Sequence, residues 1–245
     1  MKQETMVIIP AYNEELSLSR VIHQLDKYFT RKQILVADDG SIDNTLLIAR
    51  RLGVAMVRSR SNQGKGFILR KAFMAVISQM PSVKWILTLD ADGQHSPEDI
   101  PKFLSTVNGA SDIGIVNGKR KYLQMPVKNR ISNTLTSKWC NFWLKWNIDD
   151  LQCGFRLYNL KYLKEIMNYG LTCRKFDLET ELLYIAWLKN IKLIQIPITT
   201  MYAEQRRRSR IKPTLDTLRW VWLGVKFGFK LEFFHKIWLT RKKIG

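Results

Sequence analysis

Short apolar runs alternate with longer segments of helical periodicity over the first 116 residues. The β-branched runs predict five strands, at Met6 to Pro10, Ile34 to Ala37, Val54 to Arg58, Trp85 to Leu89 and Asp112 to Val116. After the first run, apolar residues recur at helical spacing at Leu18, Val21, Ile22, Leu25 and Phe29. This alternation of strand and helix predicts an α/β fold with a mostly parallel, helix-covered sheet.

Further helices are predicted at Asn44 to Leu52, which stops at Gly53, at Lys65 to Gln79, and after the sequence Ser96-Pro97. Beyond Val116 the pattern changes. It predicts a helix from Asn129 to Trp146, an extended run from Gly154 to Tyr158, a helix from Asp177 to Lys189 and a strand from Lys192 to Ile196.

Composition favours a globular protein in a reducing compartment. The chain has 245 residues, of which 46% are hydrophobic, enough for a packed core. Its 3 cysteines are widely spaced and predict neither a disulfide framework nor a zinc site. The N-terminus does not have the pattern of a signal peptide, and charged residues interrupt every long apolar stretch, so we expect no export signal and no membrane-spanning helix.

The net charge of +19 lies almost entirely in the second part of the chain. Residues 1–100 carry 13 Lys or Arg against 11 Asp or Glu, whereas residues 101–245 carry 27 against 10. An acidic partner is therefore expected there: phosphates, anionic lipid or nucleic acid.

The C-terminal segment has the pattern of an amphipathic helix. Aromatic and aliphatic residues recur at Trp220, Leu223, Phe227, Leu231, Phe234 and Trp238, with basic residues elsewhere on the wheel. We interpret 213–245 as a tail that binds an anionic membrane surface; packing on the protein itself or on a dimer partner is the alternative.

Polar residues cluster where the predicted strands end, which is where ligands bind in such sheets. Asp90 and Asp92 follow the fourth strand at alternate positions, so both carboxylates can face one hard cation, with Gln94 extending the set. A divalent ion there would bridge diphosphate oxygens and neutralise a nucleotide leaving group.

Two other segments at this edge leave alternatives open. Asp38 and Asp39 can accept hydrogen bonds from a base or ribose, or can instead form an Asx turn before a helix. The segment Asn62 to Gly66 would allow a phosphate to approach the backbone closely. It matches neither the G-x-G-x-x-G motif nor the Walker loop.

The ordered segments VIIPAYNEE, VADDGSIDNT, NQGKGFILRKAF and LTLDADGQH resemble those of the family 2 glycosyltransferases. The resemblance continues through Gly118-Lys119-Arg120, DLQCGFR and FDLETE to the segment PTLDTLRW, and so covers roughly residues 6–220. Within that family the chain is most similar to the dolichyl-phosphate mannose synthases and the bacterial polyprenyl-phosphate glycosyltransferases.

The resemblance implies a GT-A fold, inversion at the sugar carbon and a nucleotide-diphosphate-sugar donor. It places Mg²⁺ or Mn²⁺ on Asp90, Asp92 and Gln94, and gives catalytic roles to Asp92 and Arg120. Donor contacts are expected from these residues and their neighbours: Pro10, Ala11, Tyr12, Glu14, Asp38, Asp39, Lys65, Asp90, Ala91, Asp92 and Arg120.

The resemblance also implies that the basic loop from Arg206 to Lys212 closes over the donor diphosphate or over the acceptor phosphate. The residues expected on the acceptor side are Arg130, Arg208, Ser209 and Arg210. The chain departs from its relatives at Ser209-Arg210, where many have Ser-His. Asp150 and the acidic residues of the segment Asp177 to Glu181 are candidate general bases for a hydroxyl acceptor. A phosphate acceptor needs no base, and Asp150 would then be a positioning or structural residue.

The sequence thus predicts a glycosyltransferase domain at residues 1–212 followed by the tail at 213–245. The expected reaction moves a sugar from a nucleotide-diphosphate sugar to a polyprenyl phosphate, or other lipid-linked acceptor, at the cytoplasmic face of a membrane. Two alternatives remain: a hydroxyl acceptor in polysaccharide or glycolipid synthesis, and a basic nucleic-acid-binding protein. No nucleic-acid partner is expected, because no RNA- or DNA-binding module is present.

Overall fold

The computed structural model describes residues 2–121, 127–144, 147–171 and 178–201. The strands are Thr5–Ala11 (β1), Ile34–Asp38 (β2), Ala55–Arg58 (β3), Trp85–Thr88 (β4), Ile113–Arg120 (β5), Arg156–Asn159 (β6) and Lys192–Ile198 (β7). The α-helices are Leu18–Leu25 (α1), Thr45–Arg51 (α2), Lys65–Gln79 (α3), Ile100–Thr106 (α4), Val127–Leu144 (α5), Leu160–Met167 (α6) and Leu178–Leu188 (α7).

All seven strands form one sheet in the order β3-β2-β1-β4-β6-β5-β7. Strands β3, β2, β1 and β4 are mutually parallel, and β5 is parallel to β7. Strand β6 lies between β4 and β5 and is antiparallel to both. The expectation of a mostly parallel α/β sheet is confirmed.

The strand order reverses at β1. From β1 the chain moves outward through β2 and β3, then returns so that β4 pairs with the other edge of β1, with Ile8 opposite Thr88. At such a reversal the crossover connections leave in opposite directions, which opens a crevice at the carboxyl ends of the strands. The segments that follow β1, β2 and β4 therefore meet at the place where a ligand is expected.

Burial of apolar side chains stabilises the sheet and the helix that packs on it. Every residue of β1 and β2 is buried, as a strand covered on both faces requires. Helix α1 presents Leu18, Val21, Ile22 and Leu25 to the core, and each is at most 1% exposed. Full burial of one such side chain contributes roughly 1.5–3 kcal/mol to the free energy of folding. The four buried side chains are therefore enough to hold this short helix against the sheet.

Three differences from the sequence prediction are larger than a shift of two residues at the end of an element. Strand β5 continues to Arg120 because Asn117 and Gly118, which interrupt its apolar pattern, still pair with β7. Helix α1 ends at Leu25, and Phe29 is buried from the turn that follows. Helix α6 was not predicted; it begins after Asn159, whose side chain accepts from the backbone N–H of Lys161 at 3.0 Å.

The described residues belong to two units. The larger contains the whole sheet, and the second contains α5 and the segment 147–151. No helix among the described residues is long and apolar enough to cross a membrane.

Candidate active site

Asp90 and Asp92 lie just beyond β4, at the switch point of the sheet. The backbone N–H of Leu89 still donates to the carbonyl of Ile8 at 3.3 Å, so the chain leaves β4 alongside β1 before it reaches Asp90. The Asp90 side chain is 28% exposed. Asp92 is half-buried, and its Oδ1 accepts from the backbone N–H of Gln94 at 2.9 Å. Gly93, at φ 73°, makes the turn between Asp92 and Gln94.

A lysine from a distant part of the chain pairs with Asp90. The Nζ of Lys65, the first residue of α3, lies 2.6 Å from Asp90 Oδ1 and 2.8 Å from Glu179 Oε1. Burial raises the pKa of Asp90, but the positive charge and hydrogen bond of Lys65, together with the charge of Arg120, outweigh it and lower that pKa to about 2. Asp90 is therefore ionised at neutral pH.

Asp92 has the opposite electrostatic environment. Burial raises the pKa of its carboxyl, and the nearby negative charge of Asp90 raises it further. Two carboxylates in one partly buried place repel each other, and a cation bound between them would remove that repulsion.

The space around Asp90 depends on a glycine at the approach to β6. A Cβ added to Gly154 would lie 2.7 Å from both carboxylate oxygens of Asp90, closer than real contacts allow. The hydroxyl of Thr88 donates to the Gly154 carbonyl at 2.8 Å and fixes this backbone against β4. Only glycine therefore fits at position 154 with Asp90 in its present place.

His95 supports the Asp90 loop from within the protein. It is 3% exposed, and its ring stacks at a tilt on Phe155 with centroids 5.3 Å apart. Its Nδ1 accepts from the backbone N–H of Asp90 at 3.3 Å, which places the proton of the neutral ring on Nε2. Burial lowers the pKa of His95 despite the two nearby carboxylates.

Asp39 binds the Asn62 to Gly66 segment. Its two carboxylate oxygens accept from the backbone N–H groups of Gln63, at 3.0 Å, and Gly64, at 2.7 Å. Burial raises the pKa of Asp39 although these bonds oppose the shift. The contact orders the loop that leads into α3 and so helps to place Lys65; each oxygen keeps a second lone pair, so the predicted base or ribose contact stays a prediction.

Asp38 has the environment of a turn residue. It has no exposed surface, its Oδ1 accepts from the backbone N–H of Ser41 at 3.1 Å, and its Oδ2 lies 3.2 Å from Arg58 Nε. These contacts favour the Asx-turn alternative over a contact with the donor.

Hydrogen bonds join the loops after β1 and β2. The backbone N–H groups of Asn13 and Glu14 donate to the hydroxyls of Ser41, at 2.8 Å, and Thr45, at 2.7 Å. The carboxylate of Glu14 accepts from Ser17 Oγ at 2.6 Å. Tyr12 and Glu14 are half-buried, at the rim of the crevice.

The remaining predicted donor residues belong to the same unit. Pro10, Ala11 and Ala91 are buried, so only their backbone can contribute, and the carbonyl of Ala11 already accepts from the Asp39 N–H at 2.9 Å. Arg120 is half-buried at the end of β5, near enough to Asp90 to lower its pKa.

None of the predicted acceptor residues is in the described part of the sheet-containing unit. Asp150 and Arg130 are in the second unit, where Asp150 is fully buried and its Oδ1 accepts from Asn133 Nδ2 at 3.0 Å. Arg208, Ser209, Arg210 and the tail at 213–245 lie outside the described residues.

From the sequence, Gly154 had no predicted site role, and Glu179 was considered only among the acids that could serve as a general base. A signal existed for both, since each lies in a segment that carries the family resemblance, but the contacts that explain them join parts of the chain far apart in sequence. Within the described residues, no cluster of three or more His, Cys, Asp or Glu side chains is close enough to hold a metal ion.

The sequence matches the profile "Glycosyl transferase family 2" over residues 6–167. Among curated proteins, it is 28% identical to UDP-N-acetylglucosamine–dolichyl-phosphate N-acetylglucosaminyltransferase of Methanococcus voltae, with 81% of this chain and 86% of that protein covered. It is 27% identical to polyprenol monophosphomannose synthase of Mycolicibacterium smegmatis, with 80% of this chain and 77% of that protein covered.

Among solved structures, the chain is similar to glucosyl-3-phosphoglycerate synthase from Mycobacterium tuberculosis. The TM-score is 0.68 at 16% identity, with 90% of this chain and 79% of that chain covered. The likeness confirms the GT-A fold. That synthase has been crystallised with Mn²⁺ and uridine diphosphate. Together with the profile match over most of its length, these findings show that the chain belongs to glycosyltransferase family 2 and is a glycosyltransferase.

Proposed function

We propose that this chain transfers a sugar from a nucleotide-diphosphate sugar to a polyprenyl phosphate, with a divalent ion, Mg²⁺ or Mn²⁺, at Asp90 and Asp92. The observation that carries the proposal is the pair of carboxylates at the switch point of the sheet, in a member of family 2. Lys65 and Arg120 supply positive charge beside the pair, as a diphosphate requires.

The two carboxylates fit a hard divalent cation. Both offer oxygen ligands. Burial raises the pKa of Asp92, and so does repulsion from Asp90, which such an ion would relieve. A site with two protein carboxylates leaves coordination positions for diphosphate oxygens and water, which is how Mg²⁺ is commonly held at phosphate sites. When bound, the ion stabilises negative charge on the leaving nucleoside diphosphate.

The chain's own residues then have distinct tasks. Lys65 and Arg120 would bind the donor phosphates, and Tyr12, Glu14 and Asp39 would contact the base and ribose from the joined loops after β1 and β2. Gln94 would complete the protein's part of the metal site. Arg130, Arg208, Ser209 and Arg210 remain the proposed residues for the acceptor phosphate.

A phosphate acceptor is supported by the names of the relatives and by charge. Both curated relatives described above are named for lipid-phosphate acceptors. A phosphate monoester has a second pKa of about 6, so at neutral pH it is a nucleophile without a general base. Residues 101–245 carry 27 Lys or Arg against 10 Asp or Glu, a charge suited to an anionic acceptor.

A lipid acceptor requires access to a membrane surface. We propose that the amphipathic segment 213–245, following a catalytic domain at 1–212, provides it at the cytoplasmic face, where sugar nucleotides are made. Its terminal Arg241-Lys242-Lys243 would add attraction to anionic lipid.

A screen of UDP- and GDP-sugars with Mg²⁺ or Mn²⁺, read by thermal shift and by donor hydrolysis, tests the donor half. We expect one sugar nucleotide to raise the melting temperature only when a divalent ion is present, and Asp92→Asn to abolish that shift. A shift of equal size with a chelator present would contradict the metal assignment.

A further inference from the structure

Lys65 connects two carboxylates that come from different parts of the chain. Asp90 follows β4 and Glu179 lies in the first turn of α7, and both are within 3 Å of Lys65 Nζ. The side chains of Lys65 and Glu179 are 15% and 8% exposed. Two carboxylates therefore share one ammonium group in a place with little water.

The position of Lys65 does not follow from helix stability. It is the first residue of α3, where the positive end of the helix dipole disfavours a cation. The preceding loop is nevertheless held in place by Asp39 through Gln63 and Gly64. The fold thus directs a lysine toward Asp90 from a place where helix electrostatics oppose it.

Lys65 occupies one of the two carboxylate oxygens that Asp90 would offer to a metal ion. Its Nζ lies 2.6 Å from Asp90 Oδ1. A divalent cation held by the same carboxylate would strongly repel the ammonium in this partly buried place. That repulsion would drive the ammonium away from Asp90 when the ion binds.

Glu179 is placed to receive the withdrawn ammonium. The backbone carbonyl of Glu179 accepts from the fully buried Arg156 Nη1 at 2.6 Å, which fixes the start of the helix relative to β6. Its side chain is already in contact with Lys65 at 2.8 Å. Lys65 can thus leave Asp90 without becoming an unpaired buried charge, which would be costly.

We propose that Lys65 is the resident counter-cation of Asp90 in the metal-free protein, and that Glu179 is a positioning residue that retains Lys65 when a divalent ion displaces it. The proposal rests on the proposed function, since it takes Asp90 and Asp92 as the metal site. Its consequence is that Lys65 weakens metal binding before the donor arrives and is then free to meet the donor's diphosphate.

Mn²⁺ binding to the full chain without nucleotide tests this proposal, with free Mn²⁺ measured by electron paramagnetic resonance. Lys65→Met removes the competing charge and is expected to tighten Mn²⁺ binding about tenfold. Glu179→Gln leaves Lys65 with Asp90 as its remaining carboxylate partner, and is expected to weaken Mn²⁺ binding about threefold or more. Lys65→Arg keeps the charge and should stay near wild type, as should Glu181→Gln, a control at another buried glutamate of α7.

Lys65→Met and Glu179→Gln are expected to change Mn²⁺ affinity in opposite directions. This difference is decisive, because damage to the fold would weaken Mn²⁺ binding in both variants. Circular dichroism melts identify any variant that does not fold, and the sign for Lys65→Met alone is then sufficient. Weaker or unchanged Mn²⁺ binding in folded Lys65→Met would overturn the inference while leaving the proposed function intact. If Asp92→Asn binds Mn²⁺ as tightly as wild type, the metal is not at this site, and the proposed function fails together with the inference.

Discussion

The Asp90 carboxylate is placed by three contacts of different kinds. Lys65 attracts one oxygen, His95 accepts the residue's own backbone N–H, and Gly154 leaves the space that the carboxylate occupies. Each contact joins Asp90 to a different segment. Small changes at any of these residues should therefore affect the site before they affect the fold.

Gly154→Ala tests the space around Asp90. The new Cβ would lie 2.7 Å from both carboxylate oxygens, so Asp90 must move. We expect sugar transfer to fall about 10- to 100-fold, the effect of misplacing a reacting group by about 1 Å, and Mn²⁺ affinity to fall with it. Gly109→Ala is the control, because it lies in a turn with open space around it and positive φ, and should cost stability alone. Unchanged Mn²⁺ affinity in Gly154→Ala would contradict this account of the site.

Asp150→Asn separates a phosphate acceptor from a hydroxyl acceptor. Asn keeps the shape of the buried side chain and an oxygen for Asn133 Nδ2 to donate to, but cannot act as a base. We expect transfer to polyprenyl phosphate within about threefold of wild type, whereas loss of a general base costs about 10²- to 10⁴-fold. A loss of that size with donor binding intact would favour a hydroxyl acceptor and Asp150 as the base.

Among the elements, the loops after β1 and β2 are joined by hydrogen bonds, and together they would contact the base and ribose. Their link is made by side-chain hydroxyls that accept from the backbone of the neighbouring loop, including Thr45, which is fully buried. Such bonds hold two loops at a fixed separation without a regular element between them. The shape of the crevice should therefore depend on these hydroxyls.

Thr45→Val tests this link. Valine has the same shape but cannot accept from the Glu14 N–H, and the unpaired group should lower the free energy of unfolding by about 1–3 kcal/mol. Affinity for the nucleoside diphosphate that the wild type binds should fall as well, measured by calorimetry. Thr106→Val is the matched control, since its hydroxyl donates only to the carbonyl of Lys102 in its own helix. Equal effects of the two substitutions would contradict a special role for the link.

The sequence predicted those elements whose periodicity is strong, and their ends less well. Helix α3 runs from Lys65 to Gln79 as expected, because its buried residues recur at helical spacing. The antiparallel insertion of β6 was not predicted, since a run such as Arg156–Asn159 shows neither its neighbours nor its direction. The metal-site carboxylates could be inferred from their place after a strand, whereas the contacts of Lys65 and Gly154 depend on how distant segments meet.

For the molecule as a whole, the distribution of charge along the chain and the pattern of the tail both predict attraction to anionic lipid. Because 27 of the 40 Lys and Arg residues follow residue 100, attraction to anionic lipid should act on the part of the chain that we assign to the acceptor. Such attraction weakens with salt, whereas burial of aromatic residues at the interface does not.

Phe227→Asp with Phe234→Asp in the full chain tests the tail. Each substitution puts a charge on the predicted apolar face, so flotation with vesicles containing anionic lipid should fall at least about tenfold. Donor hydrolysis should persist, because the donor residues are in the sheet-containing unit. Arg241→Gln is a milder change that should lower flotation slightly and only at low salt. Undiminished flotation of the double variant would contradict a membrane role for this face.

The central claim is transfer from a sugar nucleotide to a lipid phosphate at the Asp90 and Asp92 site. The most direct measurement incubates the protein with radiolabelled sugar nucleotide, Mn²⁺ and either polyprenyl phosphate or the corresponding unphosphorylated polyprenol, and counts label in the extracted lipid. We predict label in lipid only with the phosphate, and loss of at least about 10²-fold in Asp92→Asn. Equal labelling of the unphosphorylated alcohol, or full activity of Asp92→Asn, would contradict the claim.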